Sequence, residues 1–494
     1  MGGGENMSVG GAPPAVEPEE DFPWHDPALG LDERLAMAEG KPQPRRLMAA
    51  MAQLDCGQCG YLCQTYAEAI AAGGEKDLSR CAPGGRDTQK KLKELVTTLG
   101  VNGKSTVSIA TPAKATATAT ALHAGDDLAR LVRCVRLNEP GSDKDTRHVE
   151  FDLTNTALTY KPGDALGVHA ENDPDAVVAV LEAVSGSGAE DVPSAHPGGP
   201  SLSSYEALLR ERTITRPAPE VVDLLAAAAT DASEAAGLKE LYEDDRGVDG
   251  LELVDLLRLY PSARPPIADL VASLTPLRPR LYSISSSPRA HANQVHVTVG
   301  VVRYRNRRDR RCGGVASTFL ADRIRPGQKV RVFVHTSTKF ALPADGSVSI
   351  IMVGPGTGIA PFRAFLHDRR ATAATGKNWL LFGDQKQACD FLYRAELEQL
   401  QRDGVLTRLD TAFSRDQREK VYVQHRMLQN AAELWAWLND GAHFYVCGDA
   451  KRMAKDVDDA LKRVVAEQGG MNDAAAAAFV ADLAKAGRYQ RDVY

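Results

Sequence analysis

Residues 349–366 (SIIMVGPGTGIAPFRAFL) constrain the fold of this chain more than any other stretch. An apolar run typical of a buried strand leads into a turn with three glycines, and a helix is predicted to begin near Pro361. Glycine lets the backbone approach a ligand closely, and a helix N-terminus offers unpaired N–H groups to an anion. A tight structural turn is the alternative, but the position between strand and helix favours a nucleotide phosphate loop. The predicted phosphate-binding residues are Gly354, Gly356, Thr357 and Gly358.

The segments around this loop predict a multidomain α/β and β architecture. From residue 346 to 494, strand-like and helix-like runs alternate, which is the pattern of a doubly wound parallel α/β domain. Alternating apolar and polar residues at 122–170 and 266–345 predict the two parts of an antiparallel β-barrel. Between these parts, residues 171–265 carry apolar residues at three- and four-residue spacing, so we expect a helical insertion in the barrel.

The N-terminal quarter of the chain differs in composition from the rest. Residues 1–45 are rich in Gly, Pro and acidic residues and predict a disordered tail, whereas residues 46–100 predict a compact Cys-rich domain. Residues 101–121 have no apolar period and predict a linker.

Length and charge exclude several classes of protein. A chain of 494 residues is too long for a single core, and a net charge of −6 argues against nucleic acid as the main partner. No apolar run reaches the roughly 18–20 residues that span a bilayer, and the N-terminus lacks the pattern of a secretory signal. We therefore expect a cytoplasmic protein that does not bind membranes.

Two further patterns lie in the C-terminal domain. Residues 414–424 (SRDQREKVYVQ) follow a predicted strand and combine cations with hydroxyls, which could bind a 2′-phosphate at the sheet edge. Cys447 ends another predicted strand, where open α/β sheets place their ligands. A solvated charged face and a buried inert thiol are the respective alternatives.

Six motifs in one order carry a family resemblance. They are RLYSISSSP (280–288), GGVAST (313–318), GPGTGIAPFR (354–363), SRDQREKVYVQ (414–424), CGD (447–449) and RYQRDVY (488–494). Residues from about 122 to 494 resemble the ferredoxin–NADP reductase module of diflavin reductases, and among these the flavoprotein subunits of NADPH–sulfite reductases. The resemblance implies that the barrel binds FAD, that the α/β domain binds NADPH and that the helical insertion is a connecting domain.

The resemblance also implies roles for individual residues around FAD. Arg280 would contact the FAD phosphates, Tyr282 would pack on the isoalloxazine, and Ser283 would lie by flavin N5. Tyr304 would stack in the FAD site, and the terminal Tyr494 would cover the flavin ring and move when nicotinamide stacks. The loop implied to hold the FAD pyrophosphate comprises Gly314, Val315, Ala316 and Ser317.

By the same resemblance, Ser283, Cys447 and Asp492 would line the hydride-transfer site. They would position the nicotinamide and balance charge as the hydride moves, because the cofactors supply the redox chemistry. The residues implied to bind the 2′-phosphate end of NADPH are Ser414, Arg415, Lys420, Tyr422 and Gln424.

The Cys-rich domain stands where diflavin enzymes carry their FMN domain. Cys56, Cys59, Cys63 and Cys81 follow the pattern C-x2-C-x3-C-x17-C, which supplies the four thiolates of a 4Fe–4S cluster. A structural zinc could use the same ligands. The stretch also resembles the small iron–sulfur domain of bacterial electron-transfer proteins, although that family often has four residues between its second and third Cys. About 120 residues are too few for an FMN-binding flavodoxin domain as well, so FMN is not expected.

Together these features predict an NADPH-dependent electron-transfer flavoprotein. NADPH would pass a hydride to FAD, and single electrons would leave through the cluster to a terminal reductase, with sulfite reductase hemoprotein as the first candidate. A nitrate or nitrite reductase is an alternative acceptor, and a non-catalytic redox sensor is an alternative of a different class.

A basic stretch, RYRNRRDRR (303–311), places six arginines in nine residues. A solvated hairpin tip is the ordinary interpretation, and a docking patch for an acidic partner is the alternative.

Overall fold

The computed structural model describes residues 22–25, 29–53, 63–73, 75, 78, 80–81, 84–99, 126–196, 199–243, 247–450 and 452–494. The described residues form two units, one on each side of the predicted linker, and each is considered by itself.

The N-terminal unit is helical. Its helices are α1 (Leu31–Met37), α2 (Gln43–Ala49), α3 (Cys63–Ala71) and α4 (Gly85–Leu99). A small core unites Trp24, Ala38 and Ala49, and the buried Arg34 donates from Nε to the carbonyl oxygen of Ala49 at 3.2 Å. The prediction of a disordered tail over 1–45 is therefore wrong for its described part, because a few apolar residues there pack on helices of this unit. Residues 1–21 and the predicted linker lie outside the described residues.

The second unit begins with an antiparallel barrel sheet. Its strands are β1 (Asp127–Arg136), β2 (Thr146–Asp152), β3 (Ala165–Val168), β6 (Arg280–Ser283), β7 (Gln294–Gly300) and β10 (Lys329–His335), with β4 and β5 in the insertion described next. The strand order is β6-β3-β10-β1-β2-β7, and all neighbours are antiparallel. A bridge between Ile284 and Val297 joins the two edge strands, so the sheet closes on its apolar interior.

The helical insertion separates β3 from β6. Its elements are α5 (Pro174–Ala183), β4 (Asp191–Val192), β5 (Leu202–Ser203), α6 (Ser204–Arg210), α7 (Pro219–Ala228), α8 (Ala232–Glu243), α9 (Leu253–Leu259) and α10 (Ile267–Ser273). Asp173 caps α5 by accepting from the Asp175 N–H at 3.1 Å. The helices share one apolar core, and α10 lies beyond the predicted boundary at residue 265.

The arginine-rich stretch forms a hairpin of β8 (Arg303–Arg305) and β9 (Arg311–Gly313). Arg303 bonds Asp145 and Asp322, each at 2.7 Å, and Arg310 Nε donates to Asp255 of α9 at 3.0 Å. Arg307 donates to the Gly247 carbonyl oxygen at 2.9 Å. Several of the arginines therefore attach the hairpin to the barrel and the insertion, which neither sequence interpretation anticipated.

A short helix, α11 (Val315–Thr318), and a π-helical turn (Phe319–Arg323) lead into the last barrel strand. The C-terminal domain then forms a five-stranded parallel sheet. Its strands are β11 (Ile350–Val353), β12 (Asn378–Asp384), β13 (Arg408–Phe413), β14 (His443–Gly448) and β15 (Tyr489–Val493). The order β13-β12-β11-β14-β15 changes direction at β11, which makes the carboxyl ends of β11 and β14 a switch point for ligand binding.

Helices connect these strands. They are α12 (Ala360–Ala371), α13 (Gln387–Asp390), α14 (Arg394–Arg402), α15 (Val423–Gln429), α16 (Ala431–Asn439), α17 (Met453–Gly469) and α18 (Asp473–Lys485). The parallel sheet is almost wholly apolar where it is buried, as expected for strands covered on both faces. The predicted combination of a β-barrel, a helical insertion and a doubly wound α/β domain is confirmed.

A polar seam joins the barrel to the α/β domain. Arg363 of α12 donates to the Ser285 carbonyl oxygen at 2.7 Å and pairs with Glu396 of α14 at 2.7 Å. His148 lies between the Tyr393 hydroxyl and the Glu150 carboxylate, each at 2.9 Å, and its ring meets that of His296 edge to face. These contacts fix the orientation of the two domains within this unit.

None of the helices in the described ranges combines the length and apolar character needed to cross a bilayer.

Candidate nucleotide and hydride-transfer site

The predicted phosphate loop lies at the switch point of the parallel sheet. After β11, Gly356 adopts a φ of +57° and opens a 3-10 turn (Gly356–Ile359) that leads directly into α12. A Cβ on Gly358 would lie 2.1 Å from the carbonyl oxygen of Cys447, so only glycine fits there. A Cβ on Gly354 would lie 2.5 Å from the Gly358 carbonyl oxygen. The glycines thus let the turn pack closely against β14.

Three predicted hydride-site residues meet beside this loop. Ser283, at the end of barrel strand β6, donates its hydroxyl to Asp492 Oδ2 at 2.6 Å. The thiol of Cys447 donates to the same oxygen at 3.6 Å. Cys447 and Asp492 are register partners on the parallel strands β14 and β15, so the sheet itself places them side by side. Ser283 and Asp492 are far apart in sequence, and they come into contact because the barrel packs on the α/β domain.

Burial controls the charge of this cluster. The Cys447 side chain is fully buried, and this burial raises the pKa of its thiol well above the usual range, so the sulfur stays protonated at neutral pH. Burial also raises the pKa of Asp492, although the hydrogen bonds from Ser283 and Cys447 act in the opposite direction. The cluster therefore offers one carboxylate whose negative charge is poorly solvated and could stabilise a positive charge developing nearby.

A cleft of about 1030 Å³ lies along the carboxyl edge of the parallel sheet; its lining includes Gly448, the neighbour of Cys447, but none of the three cluster residues. Residues predicted to bind nicotinamide nucleotide or cover the flavin line it; they are Gly356, Thr357, Ser414, Tyr422, Gln424 and Tyr494. Arg415 and Lys420 are exposed and lie outside the lining. Arg415 instead pairs with Asp143 at 3.1 Å.

Two lining residues, Lys144 and Asp384, were missed by the sequence analysis. Lys144 comes from the loop between β1 and β2, and its Nζ pairs with the buried carboxylate of Asp384 at the end of β12. Burial raises the pKa of Asp384, and Lys144 opposes that shift. The ammonium group would lie 3.9 Å from a Cβ on Gly356, so it faces the phosphate loop. No sequence signal marks this pair, since its members are 240 residues apart.

Tyr494, the terminal residue, stands over the phosphate loop. Its hydroxyl and that of Thr357 are hydrogen-bonded at 2.8 Å, and 47% of the residue's surface is exposed. Its backbone N–H donates to the Gly448 carbonyl oxygen at 3.0 Å, which fixes the chain end beside Cys447.

The residues implied to hold FAD lie on two separate strands. On β6, Arg280 is exposed and Tyr282 is partly buried. On β8, Tyr304 is exposed over 42% of its surface, and its hydroxyl donates to Glu252 at 3.3 Å. An exposed cation suits the phosphates of a dinucleotide, and an exposed aromatic side chain suits its planar rings.

The FAD pyrophosphate loop is built around the N-terminus of α11. A Cβ on Gly314 would lie 2.9 Å from Ser317 Oγ, so the turn tolerates little beyond glycine. The first N–H groups of a helix have no intrahelical partner, and those of Val315 and Ala316 belong to this first turn. The Ser317 hydroxyl accepts from the Val302 N–H at 3.1 Å and so supports the loop from within. The glycine cradle fits a pyrophosphate.

Two of the four predicted cluster cysteines fall within the described residues. Cys63 begins α3 and Cys81 precedes α4, and both are buried. The Ala52 N–H donates to the Cys81 sulfur at 3.4 Å, a contact suited to a thiolate ligand. A Cβ on Gly84 would lie 3.0 Å from that sulfur. Cys56 and Cys59 lie outside the described residues, so the four-ligand set stays a prediction.

Family models match three parts of the chain. Residues 126–319 match the FAD binding domain, residues 352–459 match the oxidoreductase NAD-binding domain, and residues 51–83 match a model described as "Putative Fe-S cluster". The fold and site therefore define a flavin- and nicotinamide-nucleotide-binding oxidoreductase module with an N-terminal iron–sulfur domain.

Comparison with curated relatives identifies a particular family within this class of oxidoreductase. The chain is 48% identical over 357 residues to the sulfite reductase [NADPH] flavoprotein alpha-component of Vibrio cholerae, covering 72% of this chain and 57% of the relative. It is 45% identical over 401 residues to that of Escherichia coli, covering 79% of this chain and 66% of the relative. Through its FAD- and nucleotide-binding module the chain belongs to the family of the sulfite reductase flavoprotein alpha-components. It spans roughly three fifths of the length of these relatives.

Proposed function

We propose that this chain is an NADPH-dependent electron-transfer flavoprotein that supplies single electrons to a terminal reductase. The observation that carries the proposal is that Ser283, Cys447 and Asp492 meet beside the phosphate loop, which itself lines a nucleotide-sized cleft. FAD, when bound to the barrel, accepts the hydride of NADPH and can release electrons one at a time.

The residues of the cleft bind and orient NADPH in this proposal. N–H groups of the loop at Gly356–Ile359 receive the pyrophosphate, and Lys144 offsets its charge from the opposite wall. Ser414, Tyr422 and Gln424 line the far end and would receive the 2′-phosphate, together with Arg415 and Lys420 beside them. A 2′-phosphate site of this kind selects NADPH over NADH.

At the other end, Ser283 and Asp492 position the nicotinamide. The Asp492 carboxylate stabilises the positive charge that grows on the nicotinamide ring as its hydride leaves, and Ser283 holds that carboxylate in place at 2.6 Å. Cys447 fills the buried side of the site with a neutral thiol, which excludes water without adding charge.

We further propose that Cys56, Cys59, Cys63 and Cys81 bind a 4Fe–4S cluster that carries electrons out of the protein. Supporting this are the match to an iron–sulfur family model and the N–H···S contact at Cys81. A zinc site would use the same ligands without carrying electrons. FMN has no part in this circuit.

The proposed acceptor is a sulfite reductase hemoprotein. The support is the name of the relatives, which describes them as the alpha-component of a sulfite reductase. Because the chain matches only part of those relatives, the acceptor belongs to the proposal together with the electron path.

An anaerobic NADPH titration of the purified protein tests the circuit. Visible absorption would follow the flavin bands, electron paramagnetic resonance would follow a reduced cluster, and metal analysis would count iron and zinc. Bleaching of the flavin followed by a cluster signal is expected. Flavin bleaching with zinc in the metal analysis would overturn the cluster as electron carrier, and an unreactive flavin would overturn the proposal as a whole.

A further inference from the structure

The carboxylate of Asp384 is buried, and only one of its two oxygens has hydrogen-bond partners. Its side chain is 1% exposed at the end of β12, and Oδ1 accepts from Lys144 Nζ and from the Gln385 N–H, the latter at 2.7 Å. Oδ2 is also buried and has no hydrogen-bond partner among the described residues. A buried carboxylate with an unused acceptor is costly to keep ionised, so its charge depends on the ammonium group of Lys144.

The unpaired oxygen lies next to the phosphate loop. A Cβ on Gly356 would lie 3.8 Å from Asp384 Oδ2 and 3.9 Å from Lys144 Nζ, and all three residues line the cleft. The loop therefore has a cation and an anion close to the same glycine. In the proposed function this loop receives the pyrophosphate, which brings further negative charge close to Asp384 and competes with it for Lys144.

The other charged groups around Asp384 do not replace this ammonium group. Burial raises the pKa of Asp384 and so does Asp390 on α13, whereas the ammonium group opposes both. On the loops after β12 and β13, Lys386 and Arg415 pair with Asp143 instead, at 4.0 and 3.1 Å. An anion that draws on the ammonium group therefore favours a proton on the carboxylate.

We propose that binding of the dinucleotide adds a proton to Asp384, because its pyrophosphate and the carboxylate share the ammonium group of Lys144. The inference rests on the proposed function of the cleft and adds a proton to the binding equilibrium. The proton comes from solvent and goes to Oδ2, the oxygen without a partner, and the neutral acid leaves the ammonium group to the phosphate. Nucleotide binding therefore becomes tighter as the pH falls, since a ligand whose binding takes up a proton binds better where protons are more abundant.

Calorimetric titration of the FAD-loaded protein with NADP⁺ counts this proton. Titrations at pH 7 in two buffers of different ionisation enthalpy, PIPES and imidazole, separate the protons taken up from the heat of binding. A phosphate monoester such as the 2′-phosphate itself titrates at about pH 6, so the informative number is the difference between the parent protein and Asp384→Asn. The parent should take up more protons than this variant, by up to about one per site.

The pH dependence of affinity gives a second measure. Between pH 6 and 9, the dissociation constant of the parent for NADP⁺ should rise by up to about tenfold per pH unit relative to that of Asp384→Asn. Lys144→Gln is a further variant, on a loop where the side chain is partly exposed and a change is unlikely to disturb folding. Without the ammonium group Asp384 is protonated before the nucleotide binds, so proton uptake should fall as it does in Asp384→Asn.

Asp416→Asn is the matched control, because Asp416 follows β13 much as Asp384 ends β12. It is exposed, it accepts from the Gln387 N–H at 2.9 Å, and it lies outside the cleft lining, so this control should take up as many protons as the parent. Equal proton counts in the parent and in Asp384→Asn would overturn the coupling and leave NADPH binding intact. A parent protein that binds neither NADP⁺ nor 2′-AMP would overturn the proposed nucleotide site itself.

Discussion

At the scale of single residues, Asp492 links the barrel and the α/β domain through hydrogen bonds. Its carboxylate accepts from a hydroxyl of the barrel and from a thiol of the parallel sheet. Burial raises its pKa, so ionised Asp492 costs folding free energy at neutral pH and is retained for what it does to a bound ligand. Function and stability should therefore respond in opposite directions when its charge is removed.

The variant Asp492→Asn tests this opposition. Reduction of the flavin by NADPH, followed by stopped-flow absorption, should slow by about 100-fold, as for loss of one charge-stabilising group. The midpoint of thermal unfolding at pH 7 should rise slightly, because a poorly solvated charge is gone. This difference in stability between the variant and the parent should shrink as the pH falls through the raised pKa of Asp492, because the parent carboxyl then becomes neutral too. Asp482→Asn, an exposed site on α18, should change neither quantity.

A second residue-scale prediction concerns Asp143, which pairs with Arg415 at 3.1 Å. Asp143→Asn leaves Arg415 without this carboxylate, so binding of 2′-AMP should tighten about threefold at low salt, in keeping with an exposed ion pair. Calorimetric titration measures the affinity. Glu139→Gln removes a charge from the same loop without touching Arg415 and should have no effect. An affinity that is equally unchanged in Asp143→Asn would show that Arg415 does not meet the phosphate.

The residues of the site differ in how far the sequence could predict them. The family resemblance selected Ser283, Cys447 and Asp492, and the structure brings them together, although their roles stay predictions. Lys144 and Asp384 could not be predicted, since their pairing exists only after the barrel loop packs on the parallel sheet.

At the scale of elements, helix α12 both follows the phosphate loop and contributes to the polar seam. Its N-terminus follows the phosphate loop, and Arg363 one turn later enters the polar seam. The guanidinium is 5% exposed and reaches both Ser285 and Glu396, so it connects the nucleotide loop rigidly to the barrel. This connection fixes the phosphate loop relative to the barrel.

Replacing Arg363 by Ala should lower the free energy of unfolding by about 3 kcal/mol, because Glu396 would be left without its buried partner. Urea denaturation followed by circular dichroism measures the loss. Arg370→Ala is the matched control on the same helix, since its pair with Asp403 at 2.9 Å is exposed and should contribute less than about 1 kcal/mol. Similar losses for both variants would contradict a structural role of the seam.

The kinds of element were predicted correctly where the pattern was long and periodic. The parallel sheet and the barrel strands follow their apolar alternation, whereas the helices of the N-terminal unit were missed over residues 31–37. That segment is only seven residues long, and its order depends on tertiary burial of Trp24 and Arg34, which periodicity does not report. The domain limits written from the sequence remain predictions.

At the scale of the whole molecule, histidines make the barrel–α/β interface sensitive to acid. Burial lowers the pKa of His148 to about 4 and that of His296 to about 2, with Arg363 acting in the same direction. Around His148 stand Glu150, Arg133 and Tyr393 as further partners. Because unfolded histidine titrates near 6.5, the folded state binds fewer protons below that pH and loses stability as the pH falls from about 6.5 to 4.

The predicted slope is up to about 1.4 kcal/mol per pH unit for each fully buried neutral histidine. Unfolding free energies from urea denaturation at several pH values between 7 and 5 measure it. The double variant His148→Asn, His296→Asn should have a shallower pH dependence than the parent protein, whatever its absolute stability. An unchanged slope would assign the acid sensitivity to other groups.

The contact between Gly358 and the carbonyl oxygen of Cys447 has a consequence for which molecules the cleft accepts. A Cβ at position 358 would come within 2.1 Å of that oxygen. In the proposed function, the phosphate position and the nicotinamide position are therefore separated by a backbone contact without adjustable side chains. The fixed spacing of these two positions therefore makes binding depend on the length of the bridge between the two halves of a dinucleotide. A dinucleotide whose two halves are joined by a shorter or longer bridge would bind at one end and miss the other, even if each half were recognised perfectly.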